Sequence, residues 1–408
     1  MTTDKHNKRP NVPPLRFPEF TEPWERRKLS EFATKITKKN RDNTISNVLS
    51  NSATLGIVQQ SQYFEREIVT DENLNGYYVI NKDDFVYNPR KSVSAPCGPV
   101  NKYDGKESGI ISPLYLCFTV NNINRSFLLW FFKSPKWYRY IYLNGDSGVR
   151  HDRVSIKDDL FLDMPITIPL SAEQEKISKL FELIDRHIAV QSGLINKLES
   201  LISGICKQFH DQTENWIQVS FIELSEDYSG LTNKSAGDFG KGKPYITYLN
   251  VNTNHIIDES QIQYVSVADD EKQNKVHWGD VIFTLSSETP DEVAVGSVYL
   301  GNCDELYLNS FCFGIHIVNE QYIYQPYLSY FISSPQFRKW VFPLAQGSTR
   351  FNLQKADFMK KKFLLPPIKE QKKLYDCLSS ISKRVVIESS ILSKLQLLKQ
   401  YLLQQMFI

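Results

Sequence analysis

The chain has 408 residues, 41% hydrophobic and 12% aromatic, with 48 Lys and Arg against 46 Asp and Glu for a formal charge of +2. That is enough apolar mass for more than one core and too little net charge for bulk electrostatic attraction to nucleic acid. No apolar run approaches the ~18 residues of a membrane span.

Residues 1–14 are polar and lack the apolar core of a signal peptide, so a disordered leader is expected. The first domain opens with Trp24-x4-Leu29-Ser30-Glu31-Phe32. Asp84-Phe85-Val86-Tyr87 reads as a turn followed by an apolar strand. Phe127 to Pro135 is an aromatic segment, and residues 145–150 form a small-residue loop ending in Arg150. Ile168-Pro169-Leu170-Ser171-Ala172-Glu173-Gln174 then leads into a long helical pattern.

Every one of these features returns. Trp216-x4-Phe221, Asp280-Val281-Ile282-Phe283, Tyr327 to Pro335, Gly347-Ser348-Thr349-Arg350 and Leu365-Pro366-Pro367-Ile368-Lys369-Glu370-Gln371 follow in the same order. From Glu173 to Glu370 the shift is 197 residues, far beyond a solenoid period of ~20–50. The chain is therefore a duplicated module. It predicts an α+β fold with two binding domains related by a pseudo-twofold axis, at 15–168 and 212–366. Two long helices, 169–211 and 367–408, would separate them as an antiparallel coiled coil.

With Ile177 as heptad position a, the first helix offers Ile177, Leu180, Ile184, His187, Gln191, Leu194, Leu198, Leu201 and Ile205. The second offers Leu374, Cys377, Ile381, Arg384, Glu388, Ile391, Leu395, Leu398 and Leu402. A stripe sustained for about five heptads is the signature of a coiled coil. Antiparallel pairing would bring His187, Gln191, Arg384 and Glu388 into one central polar layer that fixes register at some cost in stability.

Two equivalent stretches are locally basic and interleaved with aromatics. Residues 133–157 hold six cations against two anions, and residues 338–362 hold seven against one. Recurrence in both copies favours phosphate contact over a merely solvated face.

Chemistry-bearing motifs fail on inspection. In Gly237-Asp238-Phe239-Gly240-Lys241-Gly242-Lys243-Pro244 a proline stands where a phosphate-binding loop needs Ser or Thr, and a lysine-rich surface loop is expected instead. Tyr87-Asn88-Pro89-Arg90 lacks the second proline and the aromatic with which adenine methyltransferases grip a flipped base. Glu370-Gln371-Lys372 has a nuclease-like spacing but sits at a helix start. The six cysteines include no Cys-x-x-Cys pair, which gives neither a disulfide framework nor a zinc site and fits a reducing cytoplasm. Cys312-x3-His316 lies in an alternating apolar stretch and reads as core. No catalytic site and no metal site is expected.

The duplicated domain-plus-helix, with Glu-Gln at each helix start and an opening Val12-Pro13-Pro14-Leu15-Arg16-Phe17-Pro18-Glu19-Phe20, resembles the specificity subunit of bacterial type I restriction-modification enzymes over essentially the whole chain. The resemblance implies a non-catalytic, cytoplasmic subunit that reads an asymmetric bipartite site on double-stranded DNA. The helices would serve as spacer and as docking platform for two modification subunits. Those partners would carry S-adenosylmethionine and methylate adenine, and restriction subunits would supply ATP- and magnesium-dependent translocation and cleavage. A stand-alone methyltransferase or nuclease, and a coiled-coil scaffold, are the alternatives.

Candidate DNA contacts are Arg90, Lys91, Arg150 and Arg153 in the first domain and Thr284, Ser286, Arg350 and Asn352 in the second. They are chosen as polar interruptions between apolar strands: arginine grips guanine bidentately, asparagine grips adenine, and hydroxyls take phosphates. The first domain has Tyr87-Asn88-Pro89-Arg90-Lys91 where the second has Phe283-Thr284-Leu285-Ser286-Ser287, so the two halves are expected to read different sequences.

Overall fold

A computed structural model describes residues 11–60, 71–146, 152–212 and 214–408. The chain divides into two units, Met1–Gly193 with Ser389–Ile408, and Leu194–Glu388.

The first unit contains β1 (Glu25–Lys28), β2 (Ala33–Lys35), β3 (Val48–Ser52), β4 (Gly56–Gln59), β5 (Tyr78–Ile80), β6 (Phe85–Tyr87), β7 (Val100–Lys102), β8 (Gly109–Ile111) and β9 (Leu116–Val120). Helices α1 (Arg125–Lys133), α2 (Tyr138–Asn144) and α3 (Asp158–Leu162), strand β10 (Pro165–Ile168) and the long α4 (Ser171–Gln212) follow. Strand β1 closes antiparallel on β10, with Glu25 opposite Ile168. One sheet has the order β2-β9-β6-β7 and the other β4-β3-β8-β5, in which β3 runs parallel to β8.

The second unit repeats the plan through β11 (Ile217–Val219), α5 (Phe221–Leu224), β12 (Ser225–Ser229), β13 (Phe239–Ile246), α6 (Tyr248–Thr253), β14 (Gln263–Val265), β15 (Val281–Thr284), β16 (Ser286–Ser287), β17 (Gly296–Val298), β18 (Tyr307–Leu308) and β19 (Cys312–Ile317). It ends with α7 (Gln325–Phe331), α8 (Pro335–Val341), β20 (Ala345–Gln346), β21 (Phe351–Leu353), α9 (Lys355–Lys360), β22 (Phe363–Leu365) and α10 (Ile368–Gln405). Here β11 closes on β22, one sheet reads β12-β19-β15-β17, and β14-β13-β18 again contains one parallel pair, β13 with β18. The segment from Gly237 to Pro244, expected as a surface loop, lies largely in β13, where its glycines at positive φ accompany a register shift between Phe239 and Lys243.

Local chemistry explains why both halves fold alike. The strand-opening turns use the same device: the amide of Asn81 donates to Asp84 Oδ2 at 2.7 Å and that of His277 to Asp280 Oδ2 at 2.8 Å. Asp83 and Gly279, one residue earlier, both adopt left-handed backbone. At the long helices, Gln174 donates through Nε2 to the Pro169 carbonyl at 2.8 Å and accepts the Asn124 amide at 2.9 Å. Gln371 donates to the Pro366 carbonyl at 2.8 Å and accepts the Tyr324 amide at 2.9 Å. The Glu-Gln motif thus pins each helix start to the loop before α1 or α7. Glu173, fully buried, adds a bidentate pair with Arg16, at 2.8 and 2.7 Å.

In the first unit the end of α10 is part of the core. Phe407 is fully buried, with ring centroids 5.4 to 6.5 Å from those of Trp24, Phe127, Phe131 and Phe181, and the Leu15 amide donates to the Gln405 carbonyl at 3.1 Å. Lys399 reaches Asp185 at 2.5 Å. In the second unit Ile202, Ile205 and Phe209 of α4 pack on the core that holds Leu374 and Leu378.

The helices span 42 and 38 residues, and their apolar stripe departs from the expected seam in one systematic way. Ile177, Ile184, Leu198 and Ile205 lie on the covered side as expected, but the alternate row is formed by Phe181, Ile188, Ile195 and Ile202, each one residue later than anticipated. In α10 the row is Leu378, Val385, Leu392 and Lys399, again one residue later. His187 and Arg384 are consequently exposed and off the stripe, whereas Gln191 is half-buried and Glu388 buried. Arg384 instead pairs with Glu388 along the same helix face.

Candidate nucleic-acid interface

The segment leaving β6 is shaped by Asn88. Its side chain accepts the Arg90 amide at 3.0 Å and donates to the Asn51 carbonyl at 3.0 Å, a local bond that competes with continuing the strand. The chain then meets residues 152–154: Lys91 donates its amide to the Asp152 carbonyl at 2.8 Å, Val154 donates to the Pro89 carbonyl at 2.9 Å, and Arg90 sits directly opposite Arg153 in an antiparallel bridge. Arg90 is exposed, and Lys91 and Arg153 are half-buried. Three of the four residues expected in the first domain are thus brought together, while Arg150 lies outside the described residues.

The second domain builds the same junction. Leaving β15, Leu285 accepts the Leu353 amide at 2.9 Å, and Ser286 sits opposite Asn352, with β20 pairing on the far side of β21. Arg350 donates through Nε to Ser286 Oγ at 3.3 Å and lies over the Phe311 ring at 5.8 Å. The turn that delivers it needs Gly347, where φ is +146° and a Cβ would fall 2.0 Å from the Arg350 carbonyl oxygen. Arg350 and Asn352 are exposed. Ser286 is buried and acts on the arginine.

Thr284 is a correction. Its exposure is 0%, in the middle of the core sheet, so its hydroxyl does not reach the surface. The basic patches also shrink. Arg338 spends its guanidinium on the carbonyls of Asp291, Val293 and Ala294 at 2.6 to 2.7 Å, and Lys355 pairs with Asp227. The interleaved Trp137 is a buried core residue, with no face for a base to stack on.

Sequence reasoning missed one cluster. His277, Asp280 and His316 converge although 39 positions separate the outer two, and His316, read as core, is 46% exposed. Among the described residues, no helix is long and apolar enough to cross a membrane.

The model of the type I restriction modification DNA specificity domain matches twice, over residues 21–200 and 222–397. Among solved structures, the chain is similar to one from a study of complex assembly and conformational transition of the type I restriction-modification system, with TM-score 0.55 and 15% identity over 93% of this chain and 96% of that one. The S subunit of a type I system from M. genitalium gives TM-score 0.55 and 13% identity over 97% and 99%. The HsdS subunit from Thermoanaerobacter tengcongensis gives TM-score 0.47 and 14% identity over 94% and 96%. With both copies matched, the chain belongs to the type I restriction-modification DNA specificity family, and its function is that of a sequence-specificity subunit.

Proposed function

We propose that this subunit reads an asymmetric bipartite site on double-stranded DNA, one half-site per domain, and directs type I adenine methylation and restriction there. The observation that carries this reading is the repeated junction. Arg90 opposite Arg153 in one copy and Ser286 opposite Asn352 in the other occupy the same topological place with different side chains. Equivalent scaffolds with unlike readers are what two unlike half-sites require. The proposed contact set is Arg90, Lys91, Arg150, Arg153, Arg350 and Asn352, with Ser286 positioning Arg350.

The domains are assigned to 15–168 and 212–366, with 169–211 and 367–408 as spacers and residues 1–14 as a leader. Within the first unit the start of α4 meets the end of α10, and within the second the end of α4 meets the start of α10. Both contacts support antiparallel pairing as a coiled coil, with Gln191 and Glu388 as its polar interruptions. The outer faces of these helices are the proposed seat of two modification subunits. The chain itself is non-catalytic and works in the cytoplasm; S-adenosylmethionine belongs to the modification subunits and ATP with magnesium to the restriction subunits.

Methylome sequencing of a host carrying this chain with its modification partner tests the reading. A single split motif with an adenine methylated in each half is expected, and a continuous motif or none would refute it.

A further inference from the structure

His277 belongs to the turn before β15 and His316 to β19, the neighbouring strand. Between them stands Asp280, with 0% side-chain exposure, while the two imidazoles are 61% and 46% exposed. Nδ1 of His316 is 2.7 Å from Asp280 Oδ1, Nδ1 of His277 is 3.9 Å from Oδ2, and the ring centroids are 5.4 Å apart. One donor atom from each of the three residues lies within 4.8 Å of the others. Bonds of about 2.0–2.1 Å in a tetrahedral shell place donor atoms roughly 3.3 Å apart. The observed separations bracket that value.

The carboxylate is held from behind. Tyr228 donates its hydroxyl to Asp280 Oδ2 at 2.6 Å and the His277 amide donates to the same atom at 2.8 Å. Tyr228 reaches it only because residue 314 is glycine, since a Cβ there would lie 2.0 Å from the Tyr228 ring. Such outer-shell bonds orient a ligand before an ion arrives.

The first domain serves as an internal control. Its Asp84 makes the same turn with the Asn81 amide and takes a side-chain bond from Thr119, the residue on β9 that corresponds to His316 on β19. The turn therefore needs neither imidazole. Only the second copy places two of them around its buried carboxylate.

We propose that His277, Asp280 and His316 form a three-donor site for a divalent first-row transition ion, zinc above all, with a fourth position open to solvent. Two imidazoles and one carboxylate suit zinc, cobalt or nickel, whereas magnesium and calcium favour all-oxygen shells. The ion takes the place of the proton between His316 and Asp280 and clips the β15 turn to β19 in the second domain alone.

The test titrates the full chain with Co2+ at pH 7.5, followed by its visible d–d absorption, and then displaces it with Zn2+. The comparison is a His277→Asn/His316→Thr double variant, which installs the residues of the first copy. The chain should take up one Co2+ with a four-coordinate spectrum lacking thiolate charge transfer, and release it to one Zn2+. The variant should keep its circular dichroism and bind at least 100-fold more weakly. Absence of stoichiometric binding by the unaltered chain, or equal binding by the folded variant, overturns the proposal.

Discussion

Arg90 and Arg153 face each other across an antiparallel bridge, two like charges directly opposed. Such a pair destabilises a ladder unless an anion neutralises it, and among the described residues the nearest carboxylate partner is Asp152, 3.9 Å from Arg153 Nε. In the proposed reading, a DNA phosphate or a guanine edge supplies the missing acceptors.

Arg90→Ala and Arg350→Ala, each assayed in the assembled methyltransferase, should weaken binding of the cognate site. A lost base contact costs about 1–3 kcal/mol and relaxes one motif position, whereas a lost phosphate contact weakens all sequences alike and lowers the salt slope by about one. Filter binding across a salt series distinguishes the two. Unchanged affinity and slope in both variants would remove the equivalent-junction assignment.

Gln371→Ala should lower unfolding stability by about 2–3 kcal/mol. It deletes donations to the carbonyls of Pro366 and Tyr322 and strands the Tyr324 amide, and buried groups left unsatisfied cost about 1–3 kcal/mol. Gln174→Ala should behave alike, because it too holds a helix start. Denaturant melts that leave either midpoint unmoved would show these bonds to be incidental.

The polar interruptions should set register more than stability. Gln191→Leu with Glu388→Leu removes a buried charge, so thermal stability is expected to hold or rise, while misregistered or intermolecular pairing becomes accessible. Light scattering reads the second effect. A monomer with an unaltered methylation motif would end the register role.

Lengthening both spacers by four residues, near Gly193 in α4 and near Glu388 in α10, adds about one helical turn, or ~6 Å. Methylation mapping should then return the same half-sites with the gap longer by one or two base pairs. Half-sites that change while the gap stays fixed would rule the helices out as the spacer.

The duplication was legible because both copies spell out the same turns, strand starts and helix starts, down to Asp84 and Asp280 or Gln174 and Gln371. Helix phase was not. Leu180-Phe181, Leu194-Ile195 and Leu201-Ile202 are adjacent apolar pairs, so periodicity alone accepts either row, and only packing picks the later residue. Thr284 resembles a reader because its hydroxyl interrupts an apolar run, yet β15 is buried on both faces and its last residue goes into the core with the rest. Arg338 counted as patch charge although three carbonyls claim it. The His277, Asp280 and His316 cluster was hidden by distance along the chain, since strand pairing, which no spacing encodes, brings it together.

Phe407 gives the fold an order in time. The second unit is one continuous stretch, Leu194–Glu388, but the first needs its closing residues from Ser389–Ile408. During synthesis, Trp24, Phe127 and Phe181 must therefore wait, with a gap in their core, until Phe407 has been made. Synthesis that stops between Glu388 and Phe407 leaves the first-made domain unfinished and the later-made one complete. Losing an aromatic of this size from a core costs about 3–5 kcal/mol, so Phe407→Ala would weaken the first domain and not the second. Phe407 thus closes the first domain only after the second has been made.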